Sequence, residues 1–328
     1  MEVAFVCFPY SVADILEAGK AADAAGRALL FGVADSPRLF AESYVSQQHV
    51  LAHTRHVCVG PFATNPVTRH WSVHAGSQRS LEELHPGRLF FGLAAGDSAV
   101  HAFSLPPASA AAVVEHAERV LGFGPPGTRL IIAGGGPRAC ARAGCITDEV
   151  VVGQGSDAGA TKTILDTVDE ARRSAGITSP LRSWLYVLAD VWEDEGPRDP
   201  AKRDAFRSMI MAYSRQAMSV SYAGKNVPEE LQPGLTELYS QFSFEDYVGS
   251  SHNSELLAAH AEEEAFVTAR FGVIGPPESI AEQLRAMAAE TGVDRIWLGL
   301  LAQDAAAQIR LLVERALPHL INVEAGTQ

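Results

Sequence analysis

Two glycine-rich strings carry the clearest chemical signal in the sequence. Each follows a predicted strand and opens a predicted helix, where bare backbone N–H groups and the helix dipole favour an anion. Either string alone is more typical of a tight turn. Two of them on neighbouring strands instead predict one shared phosphate site. The residues are Gly134, Gly135, Gly136, Gly153, Gln154 and Gly155.

A second group of polar residues follows the third predicted strand, in the string GPFATNPVTRH. Thr64, Asn65, Thr68, Arg69 and His70 fall within seven positions at the end of a strand that is otherwise apolar. Polar side chains concentrated at such a point predict contacts with a ligand.

Three residues are candidates for acid–base chemistry: Asp35, His70 and His101. Asp35 follows the second predicted strand and is either a general base or the N-cap of the next segment. His101 lies in the fourth loop with Ser98, where it is either a proton donor or a solvent-facing residue. His70 closes the polar string of the third loop.

Metal and hydrolase chemistry have weaker support. His70 and His74 are four residues apart, but no glutamate lies between them and no third ligand follows at a suitable spacing, so we expect no metal site. The GxSxG string of serine hydrolases is missing, and GQGSD at residues 153–157 is a poor substitute. A hydrolase remains a minor alternative.

Composition and charge exclude other classes of function. The 328 residues are 47% hydrophobic and 20% charged, which suits a globular protein with a large core. The net charge of −13, with no basic run, argues against nucleic-acid binding. No apolar stretch is long enough to span a membrane. The sequence has no signal-peptide pattern, and four cysteines without CxxC spacing predict reduced thiols and a cytoplasmic location.

The elements that position these residues alternate between short strands and longer helices. Eight βα units predict one (β/α)8 TIM barrel over residues 1–328, and a doubly wound open sheet is the structural alternative. The first βα turn lacks the GxGxxG string of that alternative. Residues 223–268 form an insertion after the seventh strand, predicted to be a lid or pocket wall. The predicted strands cover residues 3–8, 28–33, 56–59, 89–93, 129–133, 149–152, 181–191 and 295–300.

Several strings in order resemble one family over nearly the whole chain. They are VADSP, GPFATNPVTRH, GLAAGDSAV, GGGPRACARAG and FGVIGPPESIAEQL. Together they are similar to the luciferase-like superfamily of flavin- and deazaflavin-dependent oxidoreductases. The nearest subgroup is that of the F420-dependent, methylenetetrahydromethanopterin-reductase-like members.

The resemblance implies roles for particular residues. It implies a non-proline cis peptide at Phe62–Ala63, pressed against the cofactor ring, and ring contacts from Thr64 and Asn65. It also implies that GGGP and GQG cradle the cofactor phosphate. Polar positions facing the pocket match Asp35 and Ser36, and the fourth-loop turn matches Gly96, Asp97 and Ser98. The implied phosphate cradle comprises Gly134, Gly135, Gly136, Pro137, Gly153, Gln154 and Gly155.

Three departures from the family pattern concern the fourth and sixth strands. The segment between residues 106–109 and the fifth strand is short, and Thr147, Asp148 and Glu149 replace a frequent Ala-Asp-Gly. Ala95 stands where the family often has an arginine, so a cationic contact is lost. The first and last of these leave the substrate class open.

The resemblance implies redox chemistry on a small organic substrate. Reduced FMN would support monooxygenation, whereas F420 would support hydride transfer, and the third-loop string slightly favours F420. It also implies a homodimer and, as a partner, a separate flavin or F420 reductase. A protein of the same fold that binds flavin without turnover is the alternative from another class, although the polar fourth loop favours an enzyme.

Overall fold

The computed structural model describes residues 1–193, 198–244, 251–300 and 304–320. Nine strands form one parallel sheet, in the order β3-β2-β1-β9-β7-β6-β5-β4, with β8 paired to β7 off this path. The strands are β1 (Glu2–Cys7), β2 (Leu30–Val33), β3 (Cys58–Pro61), β4 (Phe91–Leu93), β5 (Leu130–Gly134), β6 (Glu149–Val152), β7 (Arg182–Val191), β8 (Gly272–Gly275) and β9 (Arg295–Leu300).

The sheet closes between β3 and β4. Isolated parallel bridges join Val59 to Leu89 and Thr64 to Leu93. The other pairs are regular, and β9 lies between β1 and β7 and pairs with both. The predicted (β/α)8 barrel is therefore confirmed, and the doubly wound sheet is excluded because an open sheet has no such closure.

Helices surround the barrel and lie in most of the connections between strands. They are α1 (Val12–Asp23), α2 (Ser43–His53), α3 (Trp71–Leu84), α4 (Ser98–His101), α5 (Ala110–Phe123), α6 (Pro137–Gly144), α7 (Ala158–Ser174), α8 (Pro200–Met218), α9 (Gln232–Ser240), α10 (Ser251–Ala258), α11 (Ala261–Phe271), α12 (Pro277–Thr291), α13 (Ala305–Leu311) and α14 (Leu317–Leu320). Within the described residues, no helix is long and apolar enough to cross a membrane.

One strand and one helix differ from the sequence prediction. The sequence pattern predicts no strand between residues 191 and 295. The structure has β8 there, and it pairs with Leu188–Val191 of β7. Four residues flanked by glycines are too short for a clear two-residue periodicity. The fourth loop, predicted as irregular, contains the short helix α4. The described part of the chain between β7 and β8 includes the helices α8 to α11.

Aromatic side chains fill the interior of the barrel. Trp297 on β9 is fully buried, and its ring stacks on that of Phe62 at 4.0 Å between centroids. Phe90 and Trp184 approach the same indole at 5.6 Å each. The interior is therefore a packed core beneath the strand ends, as expected for a barrel of eight strands.

Candidate active site

A cavity of about 580 Å³ opens at the carboxyl ends of the strands. Its volume suits a cofactor or small organic molecule. The wall includes residues from β1, β7, α8 and the loops that follow β2 to β6, so it lies where barrel enzymes place their chemistry.

The third loop contributes the floor of the cavity. The peptide bond between Phe62 and Ala63 is cis, as the resemblance implied, and both residues line the cavity. Thr64 and Asn65 do not line it. Thr64 is fully buried and donates to Asp35, and the side-chain oxygen of Asn65 accepts from the backbone N–H of Thr68 at 2.9 Å. Their predicted contact with the cofactor ring therefore has no support from their positions.

Asp35 lines the cavity, but its carboxylate is already engaged. Arg69 donates to both of its oxygens at 2.9 Å, and the Thr64 hydroxyl donates at 2.7 Å. Both carboxylate oxygens are thus occupied by donors from the protein, which leaves Asp35 poorly placed to take a proton from a ligand. The next residue, Ser36, hydrogen-bonds through its hydroxyl to that of Ser98 at 3.1 Å.

The fourth loop brings Gly96, Asp97, Ser98 and His101 to the cavity wall. Asp97 accepts a hydrogen bond from Arg215 at 2.8 Å, and the His101 Nε2 lies 3.6 Å from the same carboxylate oxygen. Burial raises the pKa of Asp97, against the opposing effects of Arg215 and His101. Of the histidines predicted to be catalytic, His101 is therefore the one that lines the cavity and lies beside a carboxylate.

The two glycine strings meet at the cavity only in part. Gly134, Gly135 and Gly153 line it, and a Cβ on Gly135 would meet no heavy atom within 4 Å. Gly136 is the N-cap of α6 and Pro137 its first residue, and the N–H groups of the first turn have no partner within the helix. These two residues lie outside the lining, as do Gln154 and Gly155.

Gln154 is a brace behind the glycine strings. It is fully buried, and its amide nitrogen donates to the carbonyl of Gly135 at 2.7 Å and to that of Ala217 at 3.3 Å. Arg270 donates to the Gln154 side chain at 3.2 Å and to its main-chain carbonyl at 3.1 Å. Gln154 therefore joins the fifth loop, the sixth loop and the end of α8.

Two buried cations lie behind this brace. Lys225 donates to the carbonyl of Ala217 at 2.6 Å, and burial, followed by the charge of Arg270, lowers the pKa of Lys225 to about 8. Arg270 has one carboxylate nearby, Asp157 at 3.7 Å. The positive potential of this pair falls on the side of the cavity formed by the glycine strings, which favours an anion there.

Gly155 has a structural reason for its identity. Its φ is +64°, and a Cβ at this position would lie 2.1 Å from the carbonyl oxygen of Arg270. A glycine is therefore required here by close packing of the sixth loop on α11, rather than by a ligand.

His70 lies away from the cavity. It is exposed at the start of α3, and its Nδ1 hydrogen-bonds to the hydroxyl of Ser72 at 2.8 Å. Its predicted catalytic role has no support from this position. His74 is buried and hydrogen-bonds to Tyr44 at 2.6 Å. Among the described residues, no three His, Cys, Asp or Glu side chains group as metal ligands would.

The hydrolase alternative lacks its nucleophile. The Ser156 hydroxyl in GQGSD donates to the main-chain carbonyls of Ala269 and Arg270, at 3.3 and 3.1 Å. A serine nucleophile needs a histidine in hydrogen-bond reach.

Sequence reasoning missed the wall contributed by α8. Arg215 is a cation of the cavity wall, which Ala95 of the fourth loop also lines. The sequence shows helical periodicity over residues 200–222. It does not show which face of this helix lines the cavity. The residues of this wall are Met209, Tyr213, Arg215, Gln216, Ala217, Ser219 and Val220.

Comparisons with known proteins give a consistent picture. A sequence model of the luciferase-like monooxygenase family matches residues 9–121 and 110–295. A search of curated proteins gave no match.

Solved structures share the fold at low identity. The coenzyme F420-dependent tetrahydromethanopterin reductase from Methanopyrus kandleri is 18% identical, with a TM-score of 0.74 over 98% of this chain and 100% of that chain. An F420-dependent secondary alcohol dehydrogenase, in complex with an F420-acetone adduct, is 17% identical, with a TM-score of 0.67 over 98% and 100%. The FMN complex of the oxygenating constituent of 3,6-diketocamphane monooxygenase from Pseudomonas putida is 14% identical, with a TM-score of 0.61 over 97% and 98%.

Proposed function

Because the chain belongs to the luciferase-like monooxygenase family, we propose that it is an oxidoreductase that binds a flavin-type cofactor at the barrel mouth. One observation supports the proposal above the others. The cis peptide at Phe62–Ala63 and the glycines of the fifth and sixth loops line the same cavity at the carboxyl ends of the strands. The substrate would be a small organic molecule bound in the same space.

The residues present suit such a cofactor. The volume of about 580 Å³ is that of a site for a cofactor or drug-sized ligand. Gly135 opens on free space, so a phosphate can approach its backbone. Lys225 and Arg270 place positive charge behind the same loops. Phe62 and Ala63, at the floor of the cavity, offer an apolar surface for a planar ring.

The protein's contribution would be positioning and proton control, while the bound cofactor supplies the redox chemistry. Phe62 and Ala63 would provide an apolar contact for the ring. The hydrogen bonds from Arg69 fix the Asp35 carboxylate in the cavity wall. His101, 3.6 Å from Asp97, is the proposed proton donor or acceptor at its Nε2 atom. The apolar wall of α8 would limit the access of water.

The cofactor is either FMN, for monooxygenation, or F420, for hydride transfer, with F420 slightly favoured by the third-loop string TNPVTRH. Equilibrium titration of the purified protein with each cofactor, oxidised and reduced, decides between them. Binding of one and not the other identifies the mechanism. Failure to bind either would overturn the proposal. Turnover of oxygen or of reduced F420 with a substrate panel then separates an enzyme from a flavin carrier of the same fold.

A charge placed at Gly135 tests the phosphate position. Gly135→Asp introduces a carboxylate into open space, so the fold should tolerate it. We expect at least a tenfold weaker affinity for the phosphate-bearing cofactor, and no change for the same chromophore without its phosphate (riboflavin in place of FMN). Gly122→Asp, on exposed α5, adds the same charge elsewhere and should leave both affinities unchanged. Equal cofactor affinity in both variants would place the phosphate elsewhere.

The remaining parts of the proposal concern context. We propose a cytoplasmic homodimer that receives its reduced cofactor from a separate reductase. We also propose a single barrel domain whose insertion after β7 covers the cavity. The lining residues at positions 209–220 precede this insertion, and none of the described residues within 223–268 lines the cavity. Sedimentation analysis would measure the oligomeric state.

A further inference from the structure

Arg215 is a buried cation in the cavity wall, and its guanidinium has N–H donors without a partner among the described residues. It lies in the last turn of α8, and its Nη2 donates to Asp97 at 2.8 Å. The guanidinium lies over the rings of Phe244 and Phe242, at 4.5 and 5.1 Å. Within the described part of the chain this is its one hydrogen bond, and its buried Nε has no partner. A guanidinium carries five N–H donors, so most of this capacity is unused.

The charges around the cavity are balanced. Among the lining residues that the structure describes, Asp35, Asp97 and Arg215 carry full charges. Asp97 pairs with Arg215, and Asp35 pairs with Arg69 directly behind it. On this side of the cavity, Arg215 therefore offers hydrogen-bond donors while the charge of Asp97 offsets its own.

Most of the remaining wall is apolar. Leu188, Met209, Ala217 and Val220 lie on the β7 and α8 side of the cavity, together with Arg215. A largely apolar wall that contains a charged donor favours a ligand that is apolar over most of its surface and places an acceptor against Arg215.

Resting on the proposed function of this cavity, we propose that the substrate is uncharged and carries a carbonyl oxygen, and that Arg215 donates a hydrogen bond to this oxygen. A carbonyl group needs only donors, which is all that a guanidinium offers. A carboxylate would bring a second negative charge beside Asp97, so the Asp97–Arg215 pair disfavours it. Arg215 is then the residue that determines substrate class.

Three small aromatic probes of similar size test this proposal: acetophenone, ethylbenzene and benzoate. Their dissociation constants are measured by saturation-transfer NMR. We expect the wild-type protein to bind acetophenone at least tenfold more tightly than ethylbenzene, because a hydrogen bond from a charged donor is worth about 1.5–3 kcal/mol. Benzoate should bind no more tightly than ethylbenzene.

Two variants and a control assign the preference to Arg215. In Arg215→Gln the preference for acetophenone should fall to about twofold or less. Arg215→Lys retains the charge but not the planar fork, and should lose at least threefold of the preference. Arg119→Gln, which removes an exposed arginine of α5, should retain the full preference for acetophenone. Melting curves by circular dichroism check the fold, and if Arg215→Gln unfolds, Arg215→Lys decides.

The outcomes that would overturn the proposal are distinct. An unchanged preference in the folded variants, benzoate as the tightest ligand, or no detectable binding of acetophenone would each do so. FMN and F420 titrations of the same variants separate the two proposals. A loss of cofactor affinity in Arg215→Lys would assign the arginine to the cofactor and contradict the inference. A wild-type protein that binds neither cofactor but keeps the acetophenone preference would contradict only the proposed function.

Discussion

Arginine partners determine what the cavity carboxylates can do. Asp35 follows β2 and Asp97 follows β4, but Asp35 is held through both oxygens, whereas Asp97 accepts one hydrogen bond from Arg215. Asp97 also has a histidine within 3.6 Å, and burial raises its pKa. Of the two, Asp97 is therefore the one whose environment allows a change of protonation during a reaction.

Two buried histidines predict a loss of stability in acid. Burial, followed by the nearby His116, lowers the pKa of His74 to about 3, and burial with the charges of His70 and Arg119 lowers the pKa of His116 to about 4. The folded protein thus binds fewer protons than the unfolded chain. Stability should be full above about pH 6.5 and fall as the pH drops towards 4, by about 1.4 kcal/mol for each pKa unit of depression.

Thermal unfolding of His116→Gln between pH 4.5 and 7.5 checks this expectation. Its melting temperature should fall less steeply with acid than that of the wild type. His56→Gln, which changes an exposed histidine, should follow the wild-type curve. Parallel curves for all three proteins would contradict the assignment.

Gly155 provides a second test at the level of one residue. Gly155 and Gly176 both have φ near +70°, but a Cβ would strike the Arg270 carbonyl only at Gly155 and would meet nothing at Gly176. Both alanine variants share the cost of the left-handed backbone, and Gly155→Ala should lose about 1–3 kcal/mol more. Urea unfolding of the two variants measures the difference, and equal losses would show that the loop relaxes freely.

At the scale of elements, α8, which precedes the insertion at residues 223–268, completes the site. It adds Arg215 and an apolar wall to loops that come from the barrel. The brace through Gln154 fixes its end, because Ala217 accepts from both Gln154 and Lys225. The side chains of Gln154 and Lys225 therefore fix the position of this helix relative to the fifth loop.

Removal of the brace should weaken the phosphate side of the site. Gln154→Ala removes the side-chain donor to the carbonyl of Gly135, one of the two donors to the carbonyl of Ala217 and the amide partner of Arg270, so the glycine loops lose their fixed spacing. We expect about tenfold weaker binding of the phosphate-bearing cofactor, measured by titration, with little change for the chromophore alone. Gln48→Ala, on α2 far from the cavity, is the matched control. Equal losses for both ligands would mean that Gln154 supports the whole cavity rather than the cradle.

At the scale of the whole molecule, the barrel depends on the aromatic cluster beneath the cavity. Trp297 lies on the strand that joins the first and seventh strands, and its ring contacts Phe62, Phe90 and Trp184. Because Phe62 also precedes the cis peptide of the cavity floor, the core and the site share one stack of rings.

Truncation of Trp297 should destabilise the whole barrel. Trp297→Ala is expected to reduce the free energy of unfolding by about 3–5 kcal/mol, as for large buried aromatic residues in general. Trp297→Phe should lose less than half as much, since the ring stack is kept and the indole N–H has no partner to lose. Denaturant unfolding measures both. A smaller loss for Trp297→Ala than for Trp192→Ala, a half-buried residue beyond the end of β7, would argue against this role.

The sequence alone determined the order of the βα units, because strand and helix periodicities are local. It also located the site loops, since the polar and glycine-rich strings all follow strands and parallel strands of a closed barrel end on one face. The cis peptide at Phe62–Ala63 was expected from the resemblance and is confirmed. The missed strand β8 was too short to show a period.

Only the tertiary structure decided which side chains face the cavity. Arg215 meets Asp97 across 118 positions, and Arg270 meets Gln154 across 116, so no local pattern could pair them. Thr64, Asn65 and Gln154 lie within strings of the right composition, yet they turn away to satisfy buried hydrogen-bonding groups. Local periodicity fixes where a loop begins, whereas the direction of each side chain depends on partners that folding brings from distant parts of the chain.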